Sequence, residues 1–126
     1  MKYLRPNFMV EDVAATVAWY SDVFGAETLA TVPETGDLDF ALVRIGEVEL
    51  MFEKAASLSE GIPALQNIPI RSSIVLYIDV ADVEGLYARL KDKVETVKEL
   101  YDTFYGTREF YMQDCNGYVL TLAQKK

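Results

Sequence analysis

The chain has 126 residues, 51% of them hydrophobic and 25% charged, with a net charge of −8. That is enough chain for one domain with a core. The charge excludes nucleic acid, which needs a positive face, and favours a cationic ligand over an anionic one. The one cysteine, Cys115, excludes an internal disulfide and suits a reducing cytoplasmic setting, and the lack of histidine removes the commonest general base and transition-metal ligand.

Met1 to Pro6 lack the apolar run of a signal peptide, and no stretch is long enough to span a bilayer, so neither secretion nor a membrane partner is expected. Alternation predicts a first strand over residues 3–10, with Leu4, Pro6, Phe8 and Val10 on one face and Tyr3, Arg5, Asn7 and Met9 on the other. Val13, Val17, Tyr20 and Phe24 recur at helical spacing. They predict a helix over 13–24, with Asp12 as its N-cap and Gly25 at its C-terminus. Strands follow near 27–32, 40–45 and 47–53, with a loop at 33–37 and a hairpin turn at Gly46.

Residues 55–70, with Gly61, Pro63 and Pro69, read as an irregular connector. A strand over 73–80 then places Ile74, Leu76, Ile78 and Val80 against Ser73, Val75, Tyr77 and Asp79. A second helix, 83–90, is capped by Asp82, and strands near 95–100, 107–113 and 118–123 complete the chain. Asp114-Cys115-Asn116-Gly117 reads as a hairpin turn in which Asn-Gly supplies the positive φ angles.

Val10-Glu11-Asp12-Val13 and Val80-Ala81-Asp82-Val83 each follow an alternating strand and open a helix, so the chain repeats itself once. The prediction is an α+β fold of two βαβββ repeats. Curled mixed sheets form a cleft, with the helices packed outside. A single domain comprises repeat one at about 1–54, a connector at about 55–71 and repeat two at about 72–126.

This pattern resembles the vicinal oxygen chelate superfamily, which includes glyoxalase I, extradiol dioxygenases and bleomycin-resistance proteins. The resemblance covers essentially the whole chain. It is carried by Arg5-Pro6-Asn7-Phe8-Met9-Val10-Glu11-Asp12 with Trp19-Tyr20 and Phe24-Gly25, and by Asp79 to Tyr87. The most specific segment is Tyr105-Gly106-Thr107-Arg108-Glu109-Phe110 leading to Asp114-Cys115-Asn116-Gly117-Tyr118, similar to the bleomycin-resistance-like branch. Cys115 stands where that branch has proline.

Metal-dependent members place histidines early in each half and a carboxylate late in each half. The resemblance puts those positions at Arg5, Val75, Thr121 and, through the repeat, Met51, with Glu49 and Glu53 on the same face as Met51. A cation, a valine, a threonine and a methionine are a poor donor set for a divalent ion, so no metal and no other cofactor is expected.

The candidate ligand wall is Arg5, Asn7, Met9, Glu49, Met51, Glu53, Val75, Tyr77, Asp79 and Thr121, with Tyr101, Phe104 and Tyr105 as an aromatic cluster. Arg108 is a further ligand-orienting candidate, although a structural ion pair made across strands by Arg108-Glu109 accounts for it more simply. Glu49 and Glu53, which share a face of one strand, more simply balance Arg5 or face solvent than act as an acid–base pair. The resemblance implies a homodimer that sequesters a planar or cationic small molecule at its clefts without altering it, hence no catalytic residue. The alternative is a glyoxalase-like lyase or isomerase with Glu53 as base, or a dioxygenase-related enzyme with other ligands. A third reading is a degenerate groove that only scaffolds a partner.

Overall fold

A computed structural model describes residues 1–126 and resolves the chain into two compact units, Met1–Ile70 and Arg71–Lys126. In the first, strand β1 (Asn7–Val10) leads into helix α1 (Val13–Phe24), then β2 (Glu27–Val32), β3 (Phe40–Ile45), β4 (Val48–Lys54) and helix α2 (Ala55–Gly61). In the second, β5 (Val75–Asp79) leads into α3 (Val83–Leu90), then β6 (Glu95–Asp102), β7 (Thr107–Gln113) and β8 (Val119–Lys125). Each unit is thus a βαβββ module with a four-stranded mixed sheet, in the orders β1-β4-β3-β2 and β5-β8-β7-β6. The first and last strands of each module pair in parallel and the remaining neighbours pair antiparallel.

Alternation along the strands decides which face is buried. In the first unit Phe8, Val10, Ala41, Val43, Leu50 and Phe52 turn inward, and α1 covers them with Val13, Tyr20 and Val23. Phe52 is fully buried, with the Tyr20 ring centroid 4.8 Å away and that of Phe8 5.8 Å away. In the second unit Phe110, Met112, Leu120 and Leu122 play the same part under Val83 and Leu90 of α3, and Tyr87 packs 5.1 Å from Phe110.

Both helices start as their sequences dictate. The Asp12 carboxylate accepts from Ala15 N at 2.9 Å, and the Asp82 carboxylate accepts from Gly85 N at 3.0 Å. Glycine at 85 leaves room for this cap, since a Cβ there would lie 2.2 Å from the Asp82 carboxylate and push it aside. Gln124 of β8 reinforces this cap by accepting from Val83 N at 3.0 Å. At the far end of α1, Gly25 takes the left-handed conformation (φ 68°) that closes the helix. Replacing Asp12 or Asp82 by alanine is expected to lower stability in urea unfolding by about 1 kcal/mol each, and asparagine should retain most of it.

Four expectations need correction. The first strand begins at Asn7 rather than Tyr3: Pro6 contributes only its carbonyl, to Met51 N at 2.9 Å, and Tyr3 and Leu4 are exposed. The connector is not irregular throughout, since α2 occupies Ala55–Gly61 with Leu58 buried, followed by a 3-10 turn at Pro63–Leu65. The Asn116-Gly117 turn has only Gly117 at positive φ (88°). It is held instead by the Asp114 carboxylate, which accepts from Asn116 N (2.8 Å) and Tyr118 N (2.9 Å). Finally, only half of Arg108-Glu109 makes an ion pair across strands: Arg108 reaches Asp102 of β6 at 2.6 Å, while Glu109, facing the opposite way, enters none.

Candidate functional site

The sheet face opposite the helix carries the polar chemistry of each unit. In the first unit this face holds Arg5, Asn7, Met9, Glu49, Met51 and Glu53, with Asn7 opposite Met51 and Met9 opposite Glu53 in register. Its charges satisfy one another. Arg5 is bonded to Glu49 and stacks on Tyr3, its Cζ 4.1 Å from the ring centroid. The bond to Glu49 and the contact with Tyr3 hold the Arg5 pKa above its ordinary value. Glu53 accepts from Asn7 Nδ2 at 3.0 Å on one oxygen and from Ser57 Oγ at 2.9 Å on the other. A carboxylate with both oxygens engaged is poorly placed to take a substrate proton.

The second unit differs. Val75, Tyr77 and Asp79 lie opposite Val119, Thr121 and Ala123, which in turn lie opposite Gln113, Tyr111 and Glu109. Glu109 is at the centre and is fully buried. Tyr77 from β5 donates to its Oε1 at 2.7 Å, and Thr107 donates to the same oxygen at 2.7 Å. Tyr105, from the loop joining β6 and β7, reaches both carboxylate oxygens at 2.9 Å. Tyr111 stands on the same face of β7 as Glu109, two residues on, and its hydroxyl lies 3.0 Å from that of Tyr101. Glu109 enters none of the chain's ion pairs.

Burial pushes the Glu109 pKa up, but the hydroxyls of Thr107, Tyr77, Tyr105 and Tyr111 outweigh it and hold the carboxyl below its ordinary range, so it is ionised at neutral pH. The tyrosines respond in the opposite sense. The Glu109 bond raises Tyr77, burial and Glu109 raise Tyr105, and Tyr101 and burial raise Tyr111, so these phenols stay protonated.

The rings around the buried charge reach the surface. Tyr77 is 51% exposed, Tyr105 52% and Val75 57%, while Thr121 below them is buried. A shallow depression of about 520 Å³ shares Tyr105 and Thr107 with this cage and is further lined by Asp79, Ala81 and Lys125. Phe104 at the loop tip is fully exposed and touches Tyr105 edge-on at 5.1 Å.

The structure therefore gathers Val75, Tyr77, Asp79, Tyr101, Tyr105 and Thr121 on one face and gathers Arg5 to Glu53 on another. Arg108 belongs to neither. It stands on the helix side of β7, bonded to Glu84 of α3 and, at 2.6 Å, to Asp102. Sequence reasoning overlooked Glu109 and Tyr111 as site residues. The available signal was the alternation of Thr107, Glu109 and Tyr111, three hydrogen-bonding side chains two apart on a core strand.

Two four-stranded mixed sheets, each with a helix on one face and a polar wall on the other, define a paired βαβββ protein. The chain belongs to the Glyoxalase/Bleomycin resistance protein/Dioxygenase superfamily, whose family model matches residues 3–122. Similar solved structures include TioX from Micromonospora sp. ML1 (TM-score 0.76, 19% identity, 99% of this chain and 97% of that one). A protein of unknown function from Agrobacterium tumefaciens str. C58 aligns with a TM-score of 0.81 and 23% identity over 100% and 95% of the two chains. A glyoxalase/bleomycin resistance protein/dioxygenase from Nocardioides gives 0.80 and 19% over 99% and 84%. These likenesses establish the fold. A search of curated proteins gives no match.

The metal of this superfamily is tested by the donors present. At the positions the resemblance assigns, Arg5 is committed to Glu49, Val75 has no donor, Met51 offers a soft thioether and Thr121 a neutral hydroxyl. Such a set does not fit a divalent ion held by nitrogen and carboxylate oxygen. Within neither unit do three His, Cys, Asp or Glu side chains converge. No helix is long and apolar enough to cross a membrane.

Proposed function

We propose that this protein binds a planar, cationic small molecule on the open face of its second sheet and holds it without chemical change. The observation that carries this reading is Glu109, an ionised carboxylate buried under tyrosine rings that enters no ion pair. A negative charge about 6 Å beneath a surface attracts a ligand cation by about 3 kcal/mol at an effective dielectric near 20. Each exposed ring adds about 0.5–1 kcal/mol of cation–π attraction. The net charge of −8 speeds encounter with a cation and disfavours anionic partners such as nucleic acid. The branch reading, bleomycin-resistance-like sequestration by a homodimer, is part of the same proposal and rests on the Tyr105–Phe110 motif rather than on contacts.

Calorimetry with N-methylquinolinium and its neutral counterpart quinoline, in mildly alkaline buffer, tests the proposal. The expected result is saturable binding of the cation, weakened by salt, with quinoline at least tenfold weaker and the cation recovered unaltered. Equal affinity for the two, or conversion of the bound molecule, would count against it.

A further inference from the structure

Tyr101 and Tyr111 stand edge to face, ring centroids 6.1 Å apart, at the margin of the Glu109 cage. Over them lies a cation the chain supplies itself. The Lys98 ammonium is 3.8 Å from the Tyr101 centroid and 5.8 Å from the Tyr111 centroid. Lys98 takes part in no ion pair, although the chain has an excess of carboxylates. The register of β6 against β7 shifts on both sides of it, between Thr96 and Lys98 and again between Lys98 and Tyr101. Irregularities of this kind re-aim a side chain, and here the side chain ends over two aromatic rings.

Those rings are suited to a cation. The Tyr101 hydroxyl is bonded to that of Tyr111 at 3.0 Å, and Tyr111 stands two residues from Glu109 on the same face of β7, so the paired phenols sit within the field of an ionised carboxylate. The nearby negative charge and the bond between the two phenols strengthen the rings' hold on positive charge.

We propose that Tyr101 and Tyr111 form the cation subsite of the ligand-binding face and that Lys98 is its tethered occupant, displaced when a cationic ligand binds. The inference rests on the function proposed above and adds a selectivity filter to it. A primary ammonium on a flexible four-carbon stem returns to water readily because it is strongly hydrated. A quaternary or delocalised aromatic cation is weakly hydrated and replaces it with gain. A neutral aromatic does not recover the attraction lost when Lys98 leaves.

The test compares N-methylquinolinium binding to the wild-type chain and to Lys98→Met, which keeps the stem and removes the charge. Lys98→Arg retains an occupant, and Lys93→Met removes one exposed charge outside the cage. Removing one exposed cation–π competitor should tighten binding by roughly three- to tenfold in Lys98→Met. Lys98→Arg, whose guanidinium is less hydrated and stacks better on the rings, should bind the probe no more tightly than wild type, and Lys93→Met should stay within about twofold of wild type. In the free protein the Lys98 ε-methylene protons should be shifted upfield by the rings, and they should return toward ordinary positions as the probe saturates.

If wild type binds and Lys98→Met binds equally or more weakly, Lys98 is no competitor, and this inference fails while the proposed function stands. A gain as large in Lys93→Met, or ε-methylene protons without an upfield shift, overturns it as well. If neither wild type nor Lys98→Met binds N-methylquinolinium, the proposed function and this inference fall together.

Discussion

Glu109→Gln is expected to weaken binding of N-methylquinolinium roughly a hundredfold, because it deletes a charge worth about 3 kcal/mol to a cation held about 6 Å away. The fold should survive the change. The amide oxygen still accepts from Tyr77 and Thr107, and a hydroxyl that donated to the lost oxygen can rotate to accept from the new NH2 group. Glu109→Ala is a different perturbation. It leaves a void beneath Tyr77 and removes the acceptor of three hydroxyls, so stability should fall by about 2–4 kcal/mol.

The same residue shapes the pH dependence of stability. Its folded pKa lies below the ordinary carboxylate value, so folding is favoured most when Glu109 is ionised. That contribution is complete above the ordinary range and is lost as pH falls through the folded pKa. Tyr77, Tyr105 and Tyr111 have raised values, so what they contribute is complete below the ordinary phenol pKa and is lost as pH rises through their folded pKa values. Acid and alkaline unfolding of wild type against Glu109→Gln, with tyrosinate absorbance followed at high pH, reads both limbs. In the variant the acid limb should flatten and the tyrosines should ionise earlier.

Phe52→Ala is expected to cost about 3–5 kcal/mol, whereas Met51→Ala next to it should cost no more than about 1 kcal/mol. Phe52 is fully buried between Phe8 and Tyr20 beneath α1, and Met51 lies on the opposite, partly open face. A one-residue slip of β4 would exchange these environments, so the pair of unfolding midpoints reports the register directly. Similar costs for the two would contradict the pairing of Asn7 with Met51 and Phe8 with Phe52.

Much of this architecture was legible in the residues. Helix α1 follows from the Val13, Val17, Tyr20 and Phe24 spacing between an aspartate and a glycine, and both Asp12 and Asp82 cap as their positions require. Helix α2 was hidden because Gly61 and Pro63 punctuate the segment so closely that the helix-forming run Ala55-Ala56-Ser57-Leu58 looked like part of a loop. In the first sheet the residues left open whether Glu49 and Glu53 balance Arg5 or face solvent; Glu49 takes the arginine, and Glu53 turns to Asn7 and Ser57.

The Glu109 cage was not, for two physical reasons. Arg108 beside it suggested an ion pair, yet alternation sends Arg108 to Glu84 and Asp102 on the helix side. Two of the donors, Tyr77 and Tyr105, come from a strand and a loop 32 and 4 residues away, and only the register of β5 on β8 and of β8 on β7 brings the first of them to Glu109. A carboxylate alone in a sequence gives no sign of whether water, a cation or a ring of hydroxyls will meet it.

The most direct measurement is a residue-resolved NMR titration with N-methylquinolinium, with quinoline as the uncharged control. The cation should shift Val75, Tyr77, Tyr101 and Tyr111 most, leave the first unit's Asn7 and Glu53 nearly still, and lose these effects in Glu109→Gln. Shifts confined to the first unit, or the same shifts from quinoline as from the cation, would contradict a cation site built on Glu109.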